Sequence, residues 1–166
     1  MWHIRLRRCS ITMKKFKGIY FFIFIICLSF LGCGDKEEAT EKVANIKEKE
    51  LLEFFNKNVE GSKIIVAKEE DINGDELKDL VVIYNKDNES QMVAVINESN
   101  REYKLSDVHK APKENQDIQF KNIDDKDPME FIVSGSKNGA VGYAIFRLEG
   151  DKVIDLFGDG MEDCCS

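Results

Sequence analysis

The chain has 166 residues, a third of them charged, with 31 acidic against 24 basic side chains and a net charge of −7. Six of the basic residues and none of the acidic ones precede Cys33, so the part from Cys33 onward carries −13 and repels nucleic acid phosphates, which need clustered Lys and Arg. That part is 134 residues long, enough for one domain with a buried core.

The first segment is organised by charge. Arg5, Arg7, Arg8, Lys14, Lys15 and Lys17 are followed by an uncharged run from Ile19 to Leu31. A basic region ahead of roughly 7–15 apolar residues is a secretion signal, and it is shorter than the ~20 residues of an ordinary spanning helix. The run closes on Phe30-Leu31-Gly32-Cys33. That ending resembles the lipobox of bacterial lipoproteins, with Phe30 where Leu is usual. The resemblance implies that the Cys33 thiol receives a diacylglyceryl group and that residues 1–32 are removed. Met13-Lys14-Lys15 opens a complete signal by itself, so residues 1–12 are a start-site extension or a long basic region. The alternative is an uncleaved N-terminal anchor helix. Both readings place the rest outside the cytoplasm on a membrane, with residues 33–40 as a polar tether.

From Glu41 to Val59, the residues Val43, Ile46, Leu51, Phe54, Phe55 and Val59 share one face, which predicts an amphipathic packing helix closing near Gly61. From Lys63 the pattern is β. Short β-branched or aromatic runs between Asn, Asp, Gly and Lys turns predict strands near 63–68, 79–84, 92–97, 102–106, 117–121, 130–135, 141–148 and 152–157. Lys86-Asp87-Asn88, Lys137-Asn138-Gly139 and Glu149-Gly150-Asp151 are the hairpin signals. An offset of 51 residues lays Asp71-Ile72-Asn73-Gly74-Asp75 on Asn122-Ile123-Asp124-Asp125-Lys126, and Asp79-Leu80-Val81-Val82 on Glu130-Phe131-Ile132-Val133. The expected fold is therefore mainly β: an N-terminal helix, then two repeated antiparallel four-stranded meanders like propeller blades. Two units cannot close a propeller, so a curled sheet or sandwich is expected over residues 41–157, with a flexible tail at 158–166.

Two places suggest chemistry. In the loop from Asp71 to Asp79, Asp71, Asn73, Asp75 and Asp79 offer oxygen side chains, and Leu77 a carbonyl, around a turn at Gly74. A hard cation such as Ca²⁺ takes 6–8 such oxygens. The loop resembles the calcium-binding turns of integrin-type β-propeller repeats. It is not an EF-hand, because Val82 stands where a bidentate Glu is needed and a strand follows. The equivalent loop from Asn122 to Glu130 carries Lys126 and Pro128 and is expected to hold no ion. The alternative for the first loop is an Asx-rich turn whose carboxylates bond the backbone.

The second place is the C-terminal end. Cys9 and Cys27 precede the lipobox, Cys33 takes the lipid, and only Cys164 and Cys165 remain. Neighbouring cysteines close no useful loop, and a bond between them strains an eight-membered ring, which argues against a structural disulfide. Thiolates are soft ligands that suit Cu(I) or, by the same logic, Hg(II). Glu162 and Asp163 raise the thiol pKa, which opposes a free thiolate nucleophile but not proton displacement by a tightly bound metal. An inert or oxidised end is the bland alternative. The lipobox, an acidic β-rich domain and the end Gly160-Met161-Glu162-Asp163-Cys164-Cys165 together resemble the Cys-Cys-COOH (seleno)protein family of the selenocysteine-assisted organometal system. The resemblance implies handling of mercury and organomercurials by the Cys164–Cys165 pair. Ser166 departs from the family pattern, since the terminal carboxylate is not on the second Cys.

Three functions follow as expectations. The first is a non-enzymatic lipoprotein that captures a soft metal or organometal cation and passes it to a membrane transporter. The second is a thiol–disulfide redox protein, and the third a calcium-stabilised surface interaction module. His109, the single histidine after Cys33, is read as a solvated loop residue without a partner.

Overall fold

The computed structural model describes residues 43, 45–99 and 102–165, which belong to one compact unit, Lys36–Ser166. The signal segment, the lipidation residue Cys33 and the tether lie outside the described residues. Among the described residues no helix is long and apolar enough to cross a membrane.

The expected helix is found over a shorter span, α1 (Lys49–Asn58). Asn45 to Glu48 form a turn and bend instead, because the N–H groups of Lys47 and Glu48 donate to Glu69 Oε2 (2.9 and 3.1 Å) rather than entering a helical ladder. Val59 N–H donates back to Phe55 O, and Gly61, at φ +75°, lets the chain reverse into the first strand.

The first sheet runs in the order β1 (Lys63–Glu70), β2 (Asp79–Lys86), β3 (Glu89–Glu98), β4 (Glu102–Leu105), all antiparallel. A two-residue strand, β5 (His109–Lys110), adds to β3 beside β4 and had no counterpart in the sequence reading, since two residues carry no periodicity. The second sheet runs β6 (Glu114–Lys121), β7 (Glu130–Lys137), β8 (Ala140–Glu149), β9 (Lys152–Asp159). The hairpin signals act as read: Asp87 and Asn88 (φ +53° and +65°) and Asn138 and Gly139 (φ +50° and +85°) supply the paired left-handed residues of a tight turn matched to strand twist.

Three layers result, as expected for elements that each have an apolar face to bury. Leu51 and Phe55 of α1, with Val59 just after it, cover Leu80, Val82, Tyr84, Val93 and Val95 on one face of the first sheet. Its other face (Val81, Ile83, Met92, Ala94, Ile96) packs with Phe131, Val133, Ala144, Phe146 and Leu148 of the second sheet. β2 is thus buried on both faces, which is why Leu80 to Tyr84 is an unbroken apolar run. Among the described residues nothing covers the far face of the second sheet, where Val141, Tyr143 and Phe157 are exposed.

Candidate functional site

The loop from Asp71 to Asp79 joins β1 to β2 and is built from side-chain oxygens turned onto its own backbone. Asp71 accepts the N–H groups of Gly74 (2.7 Å), Asp75 (3.2 Å) and Glu76 (2.8 Å). Asn73 Oδ1 accepts Asp75 N–H, its amide donates to Asp75 Oδ2, and Asp75 Oδ1 accepts Leu77 N–H. Gly74 and Glu76 sit at φ +80° and +69° to allow the ring. Asp79 is fully buried and accepts N–H groups from Ile72 (3.0 Å) and from Asn97 on β3 (2.8 Å). Burial pushes its carboxyl up to about 6 against the pull of those two donors, and the charges of Asp75 and Asp71 add to the push. Lys78 is turned away to an ion pair with Glu70.

The loop from Asn122 to Glu130 repeats three of these bonds 51 residues on. Asn122 Oδ1 and Asp124 Oδ1 both accept Lys126 N–H (3.1 Å each), and Glu130 Oε2 accepts Ile123 N–H (2.9 Å). The difference is Arg147, reaching from β8. Its guanidinium donates to Asp124 Oδ2 (2.7 Å) and to Glu130 Oε1, across the third and ninth positions of the loop. Burial pushes the Glu130 carboxyl up, yet it ends below the usual range because the Ile123 N–H and Arg147 outweigh that cost. The first loop has no such cation: the residue 51 before Arg147 is Ile96.

Asp71, Asn73, Asp75, Leu77 and Asp79, the residues expected to surround a cation, lie in the one loop between β1 and β2. The side-chain oxygens of Asp71, Asn73, Asp75 and Asp79 accept from amides of the protein itself, and among the described residues no three His, Cys, Asp or Glu side chains stand in a metal-holding group. Arg147 was missed because it lies 17 residues beyond Glu130, outside the motif. An open cleft of about 1120 Å³ is walled by both loops, with Asp75, Asp127, Glu98, Glu102, Lys104 and Arg147 among its lining residues.

The cysteine end, expected as a flexible tail over 158–166, is described to Cys165 as the end of a strand and a short helix. Gly158 and Asp159 belong to β9, and α2 (Met161–Cys165) packs against β8 and β7. Gly160 makes the turn at φ +65°, and a Cβ there would lie 2.6 Å from Val141 O. Met161 is packed against the inter-sheet core and Cys165 is half-buried. The side chains of Glu162 and Cys164, and residue 166, lie outside the described set.

His109 is a correction. It is half-buried in β5, with Nε2 3.2 Å from Asp107 Oδ2 and its ring edge-on to Phe146 at 5.6 Å. Asp107 Oδ1 also accepts Val153 N–H from β9 (2.8 Å), so this pair ties the two sheets together. Burial raises the Asp107 carboxyl, but the Val153 N–H and His109 hold it below its usual range.

Compared with protein-family models, curated proteins and solved structures, the chain matches none.

Proposed function

We propose that the chain is a membrane-anchored, extracytoplasmic capture protein, lipidated at Cys33, that binds a soft metal or organometal cation of mercury-like character through Cys164 and Cys165 and passes it to a membrane transporter. The observation that supports this reading is the seating of α2. The two neighbouring cysteines end a short helix whose start is held on the second sheet by Gly160 and Met161. Backbone already ordered in a docked helix loses less conformational freedom on binding than a loose chain. Two sulfur ligands need no catalytic base, and the one histidine of the domain is occupied with Asp107.

The test is a titration of the full chain with mercuric ion under reducing conditions. One ion per chain is expected, lost in the Cys164→Ser/Cys165→Ser double variant. Equal binding by that variant sinks the reading, and so does mass spectrometry of membrane-extracted protein that finds Cys33 without lipid.

A second reading concerns the first Asx loop, and the contrast with Arg147 favours it. One loop holds the Arg147 guanidinium between its third and ninth positions; its counterpart holds three aspartates, and its own Lys78 is turned out to Glu70. Ca²⁺ held by Asp71, Asn73, Asp75, Leu77 and Asp79 would supply that charge, at the cost of turning the loop's oxygens from amides to the ion. A melting temperature unchanged by chelator, in protein that carries no calcium by elemental analysis, removes it. We also infer that the two meanders are copies of one blade-like unit. The shared loop hydrogen bonds and the matched left-handed turns at 87–88 and 138–139 support this.

A further inference from the structure

β9 is an edge of the second sheet, since β8 is its one strand partner among the described residues. An edge strand presents a row of unpaired N–H and C=O groups on which another strand can add. Asp155 to Asp159 are all exposed along it, including the large apolar side chains of Leu156 (44 %) and Phe157 (52 %).

The register of this strand is unusual. In a regular strand, residues an even number apart share a face. Here Ile145 pairs with Phe157 and the next residue, Phe146, pairs with Asp155, so Leu156 is an inserted bulge residue. The bulge brings Ile154, opposite Arg147, and Phe157, opposite Ile145, onto the same outward face. Lys152 and Asp159, opposite Glu149 and Tyr143, stand on that face beyond them. The outward series is Lys152, Ile154, Phe157, Asp159. Laid antiparallel against itself, it sets each Lys152 opposite an Asp159 and each Ile154 opposite a Phe157. Opposite charges and aromatic–β-branched neighbours are the pairs that stabilise an antiparallel sheet. A two-fold axis forms each of them twice. Without the bulge, Ile154 and Phe157 fall on opposite faces and the register does not exist.

We propose that a second copy of this chain docks on this edge, β9 against β9, antiparallel about a two-fold axis between Asp155 and Leu156, so that the two second sheets become one continuous sheet. The surplus negative charge of each copy opposes the approach at low ionic strength. At physiological salt, where the Debye length is about 8 Å, distant charges drop out and the facing pairs decide.

The experiment uses the full chain, solubilised from membranes in detergent with reductant present, and reads dimer content by native mass spectrometry and sedimentation. The unaltered chain is expected to dimerise. Lys152→Asp and Asp159→Lys each set like charges opposite one another twice, and each alone is expected to associate roughly tenfold more weakly. Mixed together, the two single variants are expected to form a heterodimer at the original strength, because every altered position then meets its opposite charge. The double variant Lys152→Asp/Asp159→Lys is expected to dimerise again, so a loss caused by misfolding is told apart from a loss caused by charge. An unaltered chain that stays monomeric, single variants that dimerise undiminished, or a mixture that remains monomeric overturns the proposal.

Discussion

Asp79 and Glu130 occupy the same position in two loops, each buried at the first residue of a strand and each accepting an N–H from the residue seven before it. One is pushed up to about 6 and the other is held low, and Arg147 separates the two cases. The sign for Asp79 is that of a carboxyl whose folded value exceeds its unfolded one. Its stabilising contribution is complete below about pH 4 and is lost as pH rises through 6, amounting to about 2 kcal/mol between pH 4.5 and 7.5. Measured by urea unfolding with chelator present, the stability of Asp79→Asn relative to the unaltered chain should improve by about that amount over this range. A constant difference at the two pH values would contradict it. At this scale the sequence disclosed the loop's oxygen donors but not their partners. Spacing says which side chains share a turn. It does not say whether they face an ion or an amide, and the deciding cation comes from another strand.

The strands were legible because their turns are: Asp87-Asn88 and Asn138-Gly139 both adopt the left-handed pair that tight hairpins require. Boundaries shifted by a few residues, as at β3, which starts at Glu89 rather than near 92. What could not be read was docking that depends on close approach of backbone. Glycine at 160 looks like looseness in a sequence, yet here it lets α2 sit within contact of Val141 and Gly142. Gly160→Ala places a methyl against a carbonyl oxygen and strains a positive φ, so the seating of α2 should be lost. The three-layer core does not depend on that turn, and unfolding stability should fall by no more than about 1–2 kcal/mol. On the proposed capture function, mercuric ion affinity of the Cys164–Cys165 pair should fall, while a Cys pair on an unseated tail predicts affinity equal to the original.

The sheets stack with a direction. Leu80 and Val82 of the first sheet face α1, whereas Phe131 and Val133, 51 residues later, face the first sheet. Equivalent faces thus point the same way, and each end of the stack must be closed differently. The 51-residue offset was visible in the sequence, but the order of layers was not. An alternating strand names two faces without saying which element covers each. The amphipathic α1 closes one end, and among the described residues the other is left open, with Tyr143 40 % and Val141 75 % exposed. This asymmetry can be measured with two aromatic truncations. Phe55 of α1 is fully buried against Tyr84, with ring centroids 5.2 Å apart, so Phe55→Ala should cost about 3–5 kcal/mol through lost transfer energy and the cavity left behind. Tyr143, on the open face, touches Phe157 at 5.9 Å but keeps much of its surface in water, and Tyr143→Thr on a β-strand should cost less than about 1 kcal/mol. Urea midpoints at constant slope give both values. Equal losses at the two ends would mean that the outer face of the second sheet is covered in the folded protein as thoroughly as the helix covers the first.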